Sequence, residues 1–287
     1  MVVLRTFDDP ADFLAVVEVP LMAREAENAL ILGVALRLRS GQPYGDEAPY
    51  LACVEETGRI TDVFVRTPPH QLLLAADTDC EATLELVAEH LSQGGKTLPG
   101  VHGRVEHAEA FANRWIARTG SVCVARMGQR LFKLVEVSSP TAPSGIPRWA
   151  EPDDTNVLIA WVNAFLDEAL PEDEKPDPRA MIERLIRSKQ LLMWDDHGPA
   201  SICSCGRPTP HGMSVNLVYT PPGLRGHGYA SANVAEMSRR ILGSGKAFCT
   251  LFTDLANPIS NKIYERIGYR AVNDFVDIRF HDATGGA

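Results

Sequence analysis

With 287 residues, a hydrophobic content of 45% and a net charge of −9, the chain is long enough for one large domain or two of ordinary size, with apolar residues to fill real cores. Its acidic balance argues against nucleic acid as a partner and tilts toward cationic substrates such as amines, although the same charge is ordinary for a soluble protein. No apolar run reaches the length of a membrane span, the opening residues are too short and too acidic for a signal peptide, and the six cysteines form no Cys-x-x-Cys pair, so the expectation is a reduced, cytoplasmic protein without a bound metal.

From the N-terminus, helical patterns occupy residues 10–36. Strands follow at 50–55, 60–66 and 71–75, then a helix at 80–92, a short strand near 99–103, a helix at 108–119 and a hairpin from 122 to 137. Residues 138–147 (Ser-Ser-Pro-Thr-Ala-Pro-Ser-Gly-Ile-Pro) read as a linker. The second half gives helices at 155–168 and 178–188, a strand at 190–194, a turn at Asp195-Asp196-His197-Gly198, and strands at 200–207 and 211–220. A helix marked by Ala230, Val234, Met237 and Ile241, a strand at 246–253, a helix entered at Asn257-Pro258 and a last strand at 271–280 complete it. Strand–strand–strand–helix–strand–helix–strand thus occurs in both halves. The expected organisation is a first domain at 1–137, a linker at 138–147 and a second domain at 148–287. Cys203 and Cys205 alternate with Ser204 on a strand, which puts both thiols on one face as core residues rather than metal ligands.

The chemistry concentrates in residues 218–230, Val-Tyr-Thr-Pro-Pro-Gly-Leu-Arg-Gly-His-Gly-Tyr-Ala. An apolar strand ends at two prolines, then Arg225-Gly226-His227-Gly228-Tyr229-Ala230 leads straight into a helical pattern. Glycines at a helix entrance leave N–H groups uncovered and allow close approach. Those groups and the helix dipole suit a phosphate or pyrophosphate. A dinucleotide fingerprint needs a third glycine that is absent, and a Walker loop needs Gly-Lys-Ser/Thr, also absent. The matching segment of the first half, at 75–81, has no glycine and carries Asp77, Asp79 and Glu81. A phosphate there would meet repulsion, so the first half is expected to have lost cofactor binding.

Residues Arg225 to Ala230 resemble the acetyl-CoA-binding motif Arg/Gln-x-x-Gly-x-Gly/Ala of the GNAT acetyltransferases. About thirty residues on, Asn257, Ser260, Tyr264, Gly268 and Tyr269 fall in register with the same family's Asn-x-x-(Ser/Ala)-x-x-x-Tyr-x-x-x-Gly-Phe/Tyr segment. On these residues the second half is identified as a GNAT domain, and the first half as a degenerate GNAT-like or cap domain. The resemblance implies an α+β fold with a mixed sheet whose two central strands splay apart to hold a pantetheine arm. The wording of the loop is similar to a bacterial group of predicted acetyltransferases, and the two-part layout is distantly similar to glycine N-acyltransferases.

What this implies is an acyl-CoA-dependent N-acyltransferase that moves an acetyl or other short acyl group to a primary amine of a small molecule, amino acid or peptide. Acetyl-CoA is the cosubstrate, and the protein is a monomer or homodimer. The backbone from Gly226 through His227, Gly228, Tyr229 and Ala230 to Ser231 is expected to receive the pyrophosphate, with Arg225 orienting the loop or its ligand. Val218, Tyr219 and Thr220 offer backbone to the pantetheine amides like an added strand, and by resemblance Asn257 reaches the same arm. Tyr264 is the implied general acid, protonated at neutral pH if its pKa stays near ~10; taken alone it also fits a core position beside Ile263 and Ile267. The general base is open among His211, Asp254, Tyr219, His227 and a water chain. Trp161, Phe165, Met181 and Trp194 are candidates for the acceptor pocket, and the acidic run at 167–177 either steers a cation or is a solvated loop. The alternative reading is a non-catalytic acyl-CoA-binding sensor.

Overall fold

The chain writes the same ten-element order twice. The computed structural model describes residues 1–76, 81–95, 97–138, 141, 143–169 and 177–281. It runs β1 (Val2–Phe7), α1 (Pro10–Met22), α2 (Ala29–Arg39), β2 (Tyr50–Glu56), β3 (Arg59–Arg66), β4 (Leu72–Ala76), α3 (Glu81–Gln93), β5 (Gly100–Arg104), α4 (Val105–Thr119) and β6 (Val122–Leu134). Then come β7 (Ile146–Trp149), α5 (Thr155–Ala169), α6 (Arg179–Arg187), β8 (Leu191–Asp195), β9 (Pro199–Gly206), β10 (Gly212–Tyr219), α7 (Tyr229–Gly243), β11 (Phe248–Asp254), α8 (Pro258–Ile267) and β12 (Arg270–His281). The loop at 77–80, on which the acidic expectation for the first half rests, lies outside the described residues, as do 170–176 of the acidic run.

Contacts divide the chain into two compact units that cut across this repeat. The first unit is Met1–Leu131 with Phe252–Pro258 and the stretch from Ala271 onward; the second is Phe132–Leu251 with Ile259–Arg270. The boundaries expected at 137 and 148 do not coincide with these units. Each unit is a mixed sheet with helices on both faces.

In the first unit the strands run in the order β1-β2-β3-β4-β5-β12, antiparallel except for the parallel pair β4–β5. The period-two pattern of β2 sends Leu51 and Cys53 to Phe13, Val17, Ile31 and Leu32 of α1 and α2. Ala52 and Val54 go to Leu84, Val87, Phe111 and Trp115 of α3 and α4. In the second unit the order is β7-β8-β9-β10-β11. Leu191, Met193 and Ile202 face Leu158, Val162 and Ile182 of α5 and α6. Leu192, Cys203 and Cys205 face Val234, Met237 and Ile267 of α7 and α8. Both thiols are therefore buried on one face, and burial pushes the Cys205 thiol up to about 11.

The helical patterns at 10–36 form two helices, α1 and α2, and two expectations elsewhere are corrected. Pro20 lies inside α1, which ends at Met22, because proline removes an N–H and clashes with the preceding turn. The side-chain amide of Asn28 then donates to the Leu21 carbonyl at 3.0 Å. The hairpin at 122–137 is one long strand, β6. Its Gly128 makes a close approach rather than a turn, since a Cβ there would meet the Leu255 side chain at 3.2 Å and its carbonyl accepts from the Leu255 N–H at 2.9 Å. Finally, β1 and β7 were not anticipated. Both stand at sheet edges, where short strands suffice and where Pro147 is tolerated.

Candidate functional site

Strand β10 is irregular where the site forms. It pairs in parallel with β11 only through Gly212↔Phe248, Met213↔Cys249 and Ser214↔Thr250, although both strands continue for several residues. The two therefore part after Ser214. Against β9 the register runs Ser214↔Gly206, Val215↔Cys205, Asn216↔Ser204 and then jumps to Tyr219↔Ile202. Three steps on β10 oppose two on β9, which is a bulge. Leu217 within it has φ of 49°, a left-handed backbone that a leucine adopts only when its surroundings impose it. Leu217 and Val218 have no partner in the register of either neighbouring strand.

The carbonyls flanking the bulge are taken by serines of β9. Ser204 Oγ donates to the Asn216 carbonyl at 3.2 Å and Ser201 Oγ to the Tyr219 carbonyl at 3.1 Å, while Thr220 Oγ1 donates to Ser201 Oγ at 3.0 Å. Ser201 and Ser204 are buried. Buried hydroxyls placed to satisfy carbonyls that a bulge has released hold its shape. Sequence reasoning missed both serines and the bulge; the one signal, two serines on a predicted strand, is common in cores.

Beyond Tyr219 the chain turns through Pro222–Leu224 into the glycine loop. Gly226 and Gly228 have φ of 83° and 86°. A Cβ at either would meet nothing within 4 Å, so backbone conformation rather than crowding calls for glycine. Gly228 caps α7, and its carbonyl takes the first intrahelical bond from the Ala232 N–H at 3.0 Å. The N–H groups of Tyr229, Ala230 and Ser231 consequently have no acceptor within the helix. With the helix dipole, this exposed turn is suited to an anion.

Arg225 is engaged with the protein itself. Its Nε donates to the Thr220 carbonyl at 2.9 Å and one Nη to both carboxylate oxygens of Glu168 at 2.7 and 2.8 Å. These bonds tie the loop to the end of β10 and to α5. His227 is exposed, with Nδ1 3.0 Å from the Arg225 carbonyl, and its ring stacks on Tyr229. The Tyr229 ring is buried, so only its backbone faces the turn.

Tyr264 lies on α8 in the second unit, 8% exposed, between Phe132 and Tyr269, with ring centroids 6.3 and 6.0 Å away. Burial, and then the neighbouring Cys203, raise its pKa well above the ordinary tyrosine value. It stays protonated, as expected, but for a different reason than an unperturbed pKa near ~10. Asn257, just before α8, is exposed and belongs to the segment Phe252–Pro258 of the first unit.

The other candidates have surroundings of their own. His211 precedes β10 at its far end, which at about 3.3 Å per residue is roughly 25 Å from Tyr219. Asp254 caps its own turn, accepting from the Ala256 N–H at 2.8 Å. Trp194 is buried with its Nε1 donating to the Ser144 carbonyl at 2.8 Å. Trp161 does lie beside Tyr219, with centroids 6.1 Å apart, and Phe165 joins the same α5 cluster, whereas Met181 is exposed on α6.

Residues 206–276, spanning β10, the glycine loop and α8, match the family described as FR47-like protein. No curated protein matches the chain by sequence. Among solved structures, it is similar over 97% of its length to 95% of a GCN5-related N-acetyltransferase from Sphaerobacter thermophilus, at 15% identity and a TM-score of 0.63. It is similar over 98% to 99% of a Drosophila protein, at 13% identity and 0.68. It also matches, full length to full length, a tandem GNAT protein from the clavulanic acid biosynthesis pathway, at 12% identity and 0.57.

Proposed function

We propose, from a chain that has the GNAT acetyltransferase fold and an FR47-like segment, that this is a cytoplasmic N-acyltransferase. It takes an acetyl or other short acyl group from acyl-CoA and passes it to a primary amine of a small molecule, amino acid or peptide. The observation that carries this reading is the continuity of the bulged, unpaired edge of β10 at Leu217 and Val218 with the positive-φ glycine turn that opens α7. An extended amide chain can pair with such an edge, and a pyrophosphate can sit at the turn beyond it.

In this reading the thioester of acyl-CoA supplies the acyl group and a thiolate leaving group. Val218, Tyr219 and Thr220 present backbone to the pantetheine arm, and residues 226–231 present N–H groups to the phosphates. The amine nitrogen forms the new bond to carbon, the carbon–sulfur bond breaks, the amine proton leaves to water, and Tyr264 gives its phenolic proton to the sulfur. Burial keeps that phenol protonated at neutral pH, the form a donor needs, and after giving its proton to the sulfur it regains one from water. The acyl-CoA site is assigned to the second half. The first half, with three acids and no glycine at 75–81, is assigned to structure or acceptor choice.

Calorimetric titration with CoA and release of free thiol over a panel of amines and amino acids test the reading. One CoA per chain is expected, with affinity lowered at least ~10-fold by Gly228→Glu, which places a charged side chain at a left-handed position facing the phosphates. Two CoA per chain, or unchanged affinity in that variant, would contradict it. Bound CoA with no turnover on any amine would leave the sensor reading in its place.

A further inference from the structure

Asp196 stands in the turn between β8 and β9, and it gathers hydrogen bonds from two parts of the second unit distant in sequence. Its Oδ2 accepts from Ser144 Oγ at 2.6 Å and from Tyr229 Oη at 2.5 Å. The carboxylate is only 12% exposed. Hydrogen bonds to an ionised carboxylate are the short, strong kind, and these two hold Asp196 below the usual carboxylate range. The turn that presents it is itself fixed. The Asp196 N–H donates to the Gly198 carbonyl at 2.9 Å, the Gly198 N–H donates to Asp195 Oδ1 at 3.1 Å, and Trp194 Nε1 donates to the Ser144 carbonyl at 2.8 Å.

Tyr229 is the first residue of α7 and follows Gly228 directly. Its ring packs with Trp194, Ala200, Ala232 and Leu224. Helix ends fray, and two left-handed glycines immediately upstream give the backbone extra freedom to lose. The loop is nevertheless held on both sides: upstream by Arg225 Nε on the Thr220 carbonyl, downstream by the Tyr229 phenol on Asp196. The N–H groups of residues 226–228 lie between the two anchors and those of 229–231 start at the second; the proposed function gives both sets to the phosphates.

We infer that Asp196 is a positioning residue, which pre-organises the phosphate-binding turn at Gly226–Ser231 by holding Tyr229. The inference rests on the acyl-CoA reading of that turn. Pre-organisation lowers the ordering cost of binding, and here it concerns the phosphates alone, since the pantetheine edge of β10 is held separately by Ser201 and Ser204. The two halves of the cofactor should therefore respond differently to loss of the anchor.

The test measures dissociation constants for CoA and for pantetheine, which lacks the phosphates, in the full-length wild type, Tyr229→Phe, Asp196→Asn and the double variant. Tyr229→Phe keeps the ring, so it preserves packing if Asp196→Asn disturbs the turn. CoA is expected to bind at least ~5-fold more weakly to each single variant, with the double variant no worse than the weaker single one, because both substitutions act on the same bond, which Tyr229→Phe removes and Asp196→Asn deprives of its charge. Pantetheine binding is expected to stay unchanged. A parallel loss for both ligands would mark a merely structural role and overturn the inference, as would CoA affinity equal to wild type. Absence of CoA binding by the wild type would instead defeat the acyl-CoA reading, and the inference with it.

Discussion

At the scale of single residues, one substitution separates the proton-donor role proposed for Tyr264 from its place in the core. Its ring fills the core between Phe132 and Tyr269, and phenylalanine keeps that ring. Tyr264→Phe should therefore leave the thermal midpoint almost unmoved and lower kcat by ~10²-fold or more at saturating acetyl-CoA, the range expected for losing a general acid. Equal kcat would return Tyr264 to the core and leave the thiolate to backbone donors or water.

His107, on the first turn of α4, makes the opposite kind of prediction, because it concerns stability alone. It is 2% exposed and neither ring nitrogen has a hydrogen-bond partner among the described residues. Burial lowers its pKa from the ordinary 6.5, with Arg104 and Arg24 adding to the effect and Glu106 opposing it. The native imidazole thus refuses a proton that the unfolded chain accepts. Its contribution to stability is intact above about pH 6.5 and is lost as pH falls from there toward the native pKa. Urea midpoints at pH 7.5 and 5.5 should show a larger acid-induced drop for the wild type than for His107→Phe; equal drops would contradict the assignment.

At the scale of elements, the end of α6 shows a cap built with the wrong residue for its geometry. The Gln190 N–H donates to the Leu185 carbonyl at 2.9 Å and the Lys189 N–H to the Ile186 carbonyl at 3.0 Å, the two bonds of a Schellman motif. Lys189 sits at its left-handed position with φ of 49° and is exposed. A glycine there relieves the Cβ–carbonyl clash and loses no packing. Lys189→Gly is expected to raise stability by about 0.5–1 kcal/mol, read from the shift of the urea midpoint at constant slope. The bulge at Leu217 is a left-handed position of another kind. There the side chain packs among the α5 and α6 residues, so the strain is retained together with burial.

At the scale of the whole molecule, the composition of the compact units bears on how the chain can be cut. Phe132 and Leu134 precede the predicted linker yet belong to the core of the second unit. Val276, Ile278 and Phe280 of the last strand are buried in the core of the first. A fragment starting at Ile146 would lack two core residues and expose three large apolar ones, each worth roughly 1.5–3 kcal/mol when buried. It is expected to be insoluble or aggregated, whereas the full chain unfolds cooperatively. A soluble, monomeric fragment with full activity on every acceptor of the whole protein would show that the second half is self-sufficient.

What the sequence determined by itself is what short-range chemistry dictates. Glycines at 226 and 228 before a helical period, and Pro258 and Gly268 bracketing another, specify backbone conformation within a few residues, and the structure has α7 and α8 where those signals place them. Alternation on β2, β8 and β9 likewise shows which side chains share a face. The tertiary structure alone decided which strand lies beside which, because a period of two identifies a face and not a partner. It made a single strand of residues 122–134 and gave β12 to the first unit. The bulge at Leu217 and the anchor of Tyr229 on Asp196 belong to the same class. No residue type announces a left-handed leucine, and a carboxylate in a hairpin turn 33 residues before Tyr229 meets that phenol only because the folded sheet holds both ends in place.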